Sequence, residues 1–250
     1  MEEKLLSATL NIVRQHGVDL FLDVSRPYAY TMVVEHEDKK ILLKIAVDAE
    51  DVPTGALRDV KLLSEFLDVP IVGVASSIRG EVLREGVVYK RDEVNFVSLA
   101  TLAKAFRDDM PTFVQIRGRR YAFVNGKALR DRREEAGLSL SVLSQMLSVS
   151  RETVYRYEKE ELSVPEETAI VLAEYFDGDV LKRINIFSSI RASPIDKASR
   201  SMGANTYKLE QSHPNGIKYE EKPAFIVKDG ERREKTEILA DIFGVEVITE

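Results

Sequence analysis

The chain of 250 residues contains no cysteine. That absence excludes a disulfide framework, a thiolate metal site and a cysteine nucleophile. Histidine is nearly as scarce. His16, His36 and His213 stand far apart, with no partner at ligand spacing, which gives zinc binding and histidine catalysis little support. No run approaches about 18 uninterrupted apolar residues, so no membrane-spanning helix is expected. The opening MEEKLLSATLNIVRQHG lacks a basic segment followed by an apolar core, and the expectation is therefore no secretory signal and a cytoplasmic location. Neither a P-loop nor a dinucleotide-binding glycine fingerprint occurs, and no cofactor and no metal are expected.

Net positive charge is also missing, since the formal charge is −6. Spread evenly, that would argue against a nucleic-acid partner, because phosphate binding needs local positive potential. It is not spread evenly. Residues 1–110 hold 14 basic and 19 acidic side chains, residues 111–160 hold 10 and 6, and the remainder holds 12 and 17. With 44% hydrophobic residues, the length accommodates one large domain or two to three small ones.

Read along the chain, an opening helix carries Leu5, Leu6, Ile12 and Val13 on or near one face and stops at Gly17, a residue suited to a left-handed stop. Three strand-like runs follow, Val18 to Val24, Tyr28 to Glu35 and Ile41 to Val47, the last two joined by a charged turn at Glu37 to Lys39. Leu57, Val60, Leu63, Phe66 and Leu67 form a helical stripe, and Ile71 to Ala75 reads as a short buried strand. A hairpin is expected around Arg84 to Gly86, between EVL and VVYKR, and Ser98 as the cap of a helix running to Phe106. Thr112 to Val124 reads as a second hairpin turning at Gly118 and bearing Arg117, Arg119 and Arg120. The stretch FSSIRASPIDKASRSMGAN, rich in Ser, Pro and Gly, reads as a linker or mobile loop. Beyond it a strand is expected at Ala224 to Lys228, a helix at Thr236 to Phe243 and a last strand at VEVIT.

The most informative stretch is 127–176, which reads as four short amphipathic helices separated by turn-like links. At about 100° per residue, Glu152, Tyr155 and Arg156 fall within about 140° of Arg151, while Thr153, Val154 and Tyr157 fall on the opposite side. One face is polar and the other packs. Ser150 precedes this helix, where its hydroxyl can cap the N-terminus and where a phosphate can approach.

From Arg133 to Glu158 the stretch resembles, without a gap, the Cro/C1-type helix-turn-helix family. Leu138, Leu143, Leu147, Val149, Val154 and Tyr157 occupy the apolar positions of the family pattern, and Ser144 stands at its small-residue position. The resemblance implies base contacts from Arg151, Glu152 and Arg156, with Thr153 nearer the backbone, and a structural salt bridge between Arg133 and Glu158. Arginine can bridge O6 and N7 of guanine and glutamate can accept from cytosine N4, which favours a G/C-containing half-site. Ser150 and Tyr155 complete the candidate DNA-binding set, with Arg117, Arg119 and Arg120 as a phosphate or minor-groove arm. Two positions depart from the pattern. Leu140 replaces the usual phosphate-touching glutamine, and Ser148 replaces the glycine of the turn, where a positive φ strains other residues. A plain four-helix packing module with a solvated polar face is the bland alternative.

The order α-β-β-β-α-β over residues 1–75 resembles the core of the PD-(D/E)xK nuclease-like fold. Such enzymes hold a divalent cation between an aspartate and the acidic residue of an E-x-K triplet. Here the triplet ending in Lys44 reads Leu42-Leu43-Lys44, so an aliphatic residue stands where the carboxylate is required. Asp19, Asp23 and Asp48 are explained at least as well as strand-end or turn carboxylates. The expectation is a nuclease-like shell without nuclease activity.

The sequence thus predicts an α+β multidomain chain. An N-terminal α/β nuclease-like domain covers 1–110, a basic β-hairpin connector 111–126, an all-α Cro/C1-type helix-turn-helix bundle 127–186, and a linker with a small C-terminal α/β segment 187–250. This plan looks like the HTH-type transcriptional regulatory proteins of archaea. It implies a non-enzymatic regulator of transcription that binds double-stranded DNA as a homodimer, since one such unit reads only a half-site. The flanking α/β segments leave room for a small-molecule effector. A metal-dependent nuclease and a coactivator-type adaptor are the alternatives.

Overall fold

The structure is a computed structural model and describes residues 2–24, 28–219, 222–228, 230 and 232–249. Helix α1 (Glu2–His16) buries Leu5, Thr9 and Val13, the four-residue spacing of one helical face. Gly17 ends it, but not through the left-handed conformation expected from the sequence, since its φ is not among the positive ones. A Cβ at this position would lie 2.1 Å from the Glu35 carbonyl oxygen, so glycine is required by the close passage of the neighbouring strand. Strands β1 (Val18–Leu22), β2 (Met32–His36) and β3 (Lys39–Asp48) form an antiparallel meander. Helix α2 (Thr54–Leu67) then crosses to β4 (Ile71–Ile78), which pairs parallel with β3. The α-β-β-β-α-β order read from the sequence is the order found.

The next turns differ from expectation. The EVL segment does not pair with VVYKR. Instead β5 (Glu81–Val82) folds back on β4, and β6 (Val87–Arg91) pairs antiparallel with β7 (Val94–Val97). The reason lies in the two-residue loops Arg79-Gly80 and Asp92-Glu93, in which every residue has positive φ. Such loops carry the twist that matches a right-handed strand pair and close tighter hairpins than the Arg84 to Gly86 segment can. Ser98 caps α3 (Leu99–Ala105) by accepting from the Thr101 N–H.

Strand β8 (Phe113–Ile116) pairs parallel with β6 and forms a hairpin with β9 (Arg119–Ala122). The arginine-bearing hairpin is therefore the outer part of the main sheet. Helices α4 (Gly126–Glu135), α5 (Leu140–Met146) and α6 (Arg151–Glu158) follow, then β10 (Val164–Pro165), which returns to pair with β9, and α7 (Glu166–Phe176). The sheet order β1-β2-β3-β4-β7-β6-β8-β9-β10, with β5 on β4, runs unbroken into the helical unit.

The Ser/Pro/Gly-rich stretch is not a free linker. Within it α8 (Pro194–Arg200) begins with a capping box, in which Ser193 and Asp196 exchange side-chain and backbone hydrogen bonds. Ala192, Asp196 and Arg200 are buried. Asp196 meets the Lys61 ammonium of α2 at 2.6 Å, and Lys197 meets Glu65 at 2.7 Å. These contacts hold the stretch to the N-terminal domain. Strands β11 (Ser201–Gly203), β12 (Thr206–Lys208), β13 (Gly216–Lys218) and β14 (Ala224–Val227) follow, then α9 (Arg232–Phe243) and β15 (Glu246–Thr249). The five strands form a second sheet in chain order, the last pair parallel.

Three cores result. On one face of the main sheet, Leu57, Val60 and Leu63 of α2 pack with Leu209, Ile217, Phe225 and Leu239 from the C-terminal segment. On the other face, α1 and α3 join Ile186 over Met32, Val34, Val72 and Val74. The third core is the helical unit, with Leu129, Leu143, Val154, Tyr157 and Leu172 closed by Ala122 and Val180. Among the described residues no helix is long and apolar enough to cross a membrane.

Candidate nucleic-acid interface

Helices α4, α5 and α6 of the central unit each start on a side-chain cap, whereas α7 follows Pro165 without one. Asn125, Ser139 and Ser150 accept from the backbone N–H three residues on, which satisfies one of the otherwise unpaired donors at each helix start. Ser150 Oγ also lies 2.8 Å from Thr153 Oγ1, so Thr153 is held at the helix start rather than directed outward. Between α5 and α6 the chain turns through Ser148 at φ 53°, the left-handed position where the family pattern has glycine. The turn is held by Ser148 N–H to the Gln145 carbonyl and Val149 N–H to the Ser144 carbonyl.

Helix α6 sorts its side chains sharply. Val154 and Tyr157 are buried in the unit's core, while Arg151, Glu152, Tyr155 and Arg156 are exposed. Arg156 rests on Glu161 at 3.3 Å, a pair about half exposed on both sides, and Lys159 lies over the Tyr155 ring. An exposed pair of this kind is worth little and is readily exchanged for a phosphate or a base edge.

Behind this face stands a buried clamp. Arg133 Nε donates to Glu158 Oε1 at 2.6 Å and Nη2 to Oε2 at 3.3 Å, while Nη1 donates to the Leu138 carbonyl at 2.9 Å. The Glu158 side chain is 2% exposed and that of Arg133 10%. The hydrogen bond to Glu158 raises the Arg133 pKa above its ordinary value. The clamp fixes α6 against α4 and the turn after it. Gly126 permits the closest part of that contact, because a Cβ there would lie 2.3 Å from the Glu158 carbonyl oxygen.

The three hairpin arginines diverge. Arg119 is exposed. Arg117 lies in the turn at φ 50° and lines a cleft on the sheet. Arg120 turns inward, where its Nε meets Glu166 at 2.5 Å and its Nη1 lies 3.9 Å from Glu81. The sequence had offered all three as one arm. Their alternation across the hairpin, together with the distant carboxylates, separates them.

The nuclease-like domain has its own polar centre. His213, fully buried, places Nδ1 3.0 Å from the Tyr30 hydroxyl and Nε2 2.9 Å from Asp23 Oδ2, and Lys235 also pairs with Asp23. Burial pushes the His213 pKa down against the opposing pull of Asp23, and pushes the Tyr30 hydroxyl well up. His213 thus has partners that local spacing could not reveal. Nearby, Lys44 donates to the Tyr28 carbonyl at 2.5 Å and lines, with Asp23 and Thr31, a cavity of about 360 Å³. Burial lowers the Lys44 pKa to about 8, an effect that Glu2 opposes.

These residues do not fit the divalent cation of a nuclease. Leu42 and Leu43 are buried aliphatics. Asp23 is already engaged by the His213 ring and paired with Lys235, and Asp19 pairs with Arg14. Asp48 accepts from Glu50 N–H, Ser77 Oγ, Arg79 N–H and Gly80 N–H and is consumed in shaping the turns around it.

Comparison with known proteins follows the same division. The family described as PD-(D/E)XK superfamily domain matches residues 2–111, and the family described as Helix-turn-helix matches 129–181. A protein of Pyrobaculum aerophilum, named as an HTH-type transcriptional regulatory protein, is 45% identical over 247 residues, covering 99% of each chain. One of the same name from Methanococcus vannielii is 30% identical over 190 residues, covering 74% of this chain and 57% of its own. Another from Methanothermobacter thermautotrophicus is 36% identical over 151 residues, covering 59% and 48%. This chain therefore spans about half the length of the two methanogen relatives. No solved structure matches. A likeness that runs through both matched domains, and nearly end to end in one relative, places this chain in the family of HTH-type transcriptional regulatory proteins represented in these archaea.

Proposed function

We propose that the chain is a sequence-specific regulator of transcription that reads double-stranded DNA through α6. The carrying observation is the exposed Arg151, Glu152, Tyr155 and Arg156 face set on a buried Val154 and Tyr157 base and braced by the Arg133 clamp. Ser150 and Thr153 at the helix start serve the phosphate backbone, and Arg119 is the hairpin's phosphate contact. A single unit of this size covers a half-site, so the acting species is a homodimer on a two-fold related operator. The setting is cytoplasmic. The nuclease-like domain acts as a scaffold without cleaving DNA, because the carboxylate that would share a metal is absent from the triplet and Asp23 is committed to His213 and Lys235.

The test is selection of bound fragments from random DNA, with the Arg151→Ala, Arg156→Ala double variant as control. The wild type enriches a motif whose affinity falls steeply with salt, and the double variant loses about 1–3 kcal/mol per bidentate contact. Enrichment of the same motif by both proteins sinks the reading. The likeness to a nuclease superfamily gives the competing reading, DNA cleavage with a divalent metal. Cleavage in magnesium or manganese that disappears in Asp23→Ala and Lys44→Ala would establish it.

A further inference from the structure

We infer that the cleft of about 690 Å³ on the face of the main sheet binds a small organic polyanion and transmits its occupancy to the helix-turn-helix unit. The proposal deepens the regulatory reading above, and its transmission half rests on that reading. The cleft lies within the size range of small-molecule sites. Its wall and floor carry four cationic side chains, Arg79, Lys90, Arg91 and Arg117. Arg79 and Arg91 share one carboxylate, Glu50, through Nε contacts of 3.1 and 3.3 Å to its two oxygens. Lys90 and Arg117 have no ion-pair partner among the described residues, and neither does Asp92, the third acidic residue of the lining. The lining thus carries four cationic side chains against three carboxylates. A compact ligand with two or more phosphate or carboxylate groups supplies what the two unpaired cations lack, and the guanidinium fork of Arg117 suits its paired oxygens, while Arg91 is held by Glu50 and the carbonyls of Ala49 and Val52.

The far wall leads to the helical unit. Gln115, buried on the cleft floor, donates Nε2 to Glu81 Oε2 at 3.3 Å, and its Oε1 accepts from Arg120 Nη1 at 3.5 Å. Arg120 Nε holds Glu166, the first residue of α7, and Arg84 holds the other oxygen of the same carboxylate at 3.3 Å. An anion bound beside Glu81 disfavours that carboxylate's present position and redistributes Arg120 between Glu81 and Glu166. Cleft and helical unit then share one polar chain, the condition for occupancy of one to change the affinity of the other.

The test uses the full chain, with pyrophosphate and citrate as probes, titrated by calorimetry at constant ionic strength and without DNA. Saturable binding of at least one probe, weakened about tenfold or more in the Lys90→Gln, Arg117→Gln variant and unchanged in the Arg151→Ala, Arg156→Ala variant, supports the site. Absence of saturable binding, or equal binding by Lys90→Gln, Arg117→Gln, overturns it, as does loss of binding in the α6 variant. This arm contains no DNA, so its outcome is independent of the fragment selection. Should Lys90→Gln, Arg117→Gln instead lose DNA affinity in the absence of probe, the cleft belongs to the DNA surface and the proposal falls. For the coupling, the probe shifts the Kd for a selected fragment in the wild type and not in Arg120→Gln. An unchanged Kd in the wild type overturns the coupling.

Discussion

Removing the charge of Glu158 tests how the reading helix is held. The carboxylate is 2% exposed and accepts two bonds from Arg133, with Arg130 Nε a further 3.4 Å away. Deleting one partner of a buried pair costs about 3–5 kcal/mol, because the other charge is left desolvated. Arg133 retains the Leu138 carbonyl at 2.9 Å and the exposed Glu134 at 3.4 Å, which places Glu158→Gln near the lower end, about 3 kcal/mol. Arg133→Met falls in the same range, since Arg130 only partly compensates the stranded carboxylate. The double variant Arg133→Met, Glu158→Leu removes both charges and is expected to lose far less than the sum, with a coupling of about 2–3 kcal/mol. Urea unfolding of the full chain, followed by circular dichroism, measures the cycle. Hydrogen exchange at α4 and α6 amides locates the loss in the helical unit rather than in the sheet. Additive losses in the double variant would refute the clamp. So would equal hydrogen-exchange protection of α6 in wild type and Glu158→Gln.

Three further perturbations address separate parts of the molecule. Gly126→Ala pushes a methyl group against the Glu158 carbonyl and is expected to cost about 1–3 kcal/mol in thermal unfolding, whereas Gly178→Ala, with open space around the position and no positive φ, is expected to cost less. Asp196→Ala leaves the buried Lys61 ammonium only the exposed Glu93 at 3.7 Å and removes the capping box, so limited proteolysis should cut within 187–200 in the variant at protease levels that leave the wild type whole. Burial disfavours the Asp48 anion, yet four donors from Gly80, Glu50, Ser77 and Arg79 hold its pKa at about 2, below the ordinary carboxylate range. Its contribution is therefore complete above pH of about 4 and is lost as pH falls through about 2, and Asp48→Asn should flatten that part of the acid-unfolding curve.

The helix-turn-helix was legible because its information is local. The cap Ser150, the apolar positions Leu143, Leu147, Val154 and Tyr157, and the Arg133 and Glu158 pair all fall within one short window. The α-β-β-β-α-β order was legible for the same reason. What escaped the sequence reading depends on separation. Asp23 and His213 are 190 residues apart, and neither position carries a spacing signal. The Ser/Pro/Gly-rich composition suggested a linker, although Ser193 followed three residues later by Asp196, with Pro194 at the first helical position, is itself a helix-start signal. The hairpin expected at Arg84 to Gly86 differs from those found because the left-handed residues of Arg79-Gly80 and Asp92-Glu93 are mostly not glycine, and Asp92-Glu93 carries no turn signal of the kind Gly86 does.

The core beneath α2 has a consequence for the order in which the chain acquires structure during synthesis. Leu57, Val60 and Leu63 share their core with Val33, Leu42 and Ile71 of the main sheet and also with Leu209, Ile217, Phe225 and Leu239, whereas the buried core of the helical unit lies within 122–181. On the ribosome the DNA-reading unit can complete itself while the domain made before it, its sheet already under α2, still waits for the side chains of β13, β14 and α9 that complete its core. Of the two units, the one translated earlier is thus the later to finish folding.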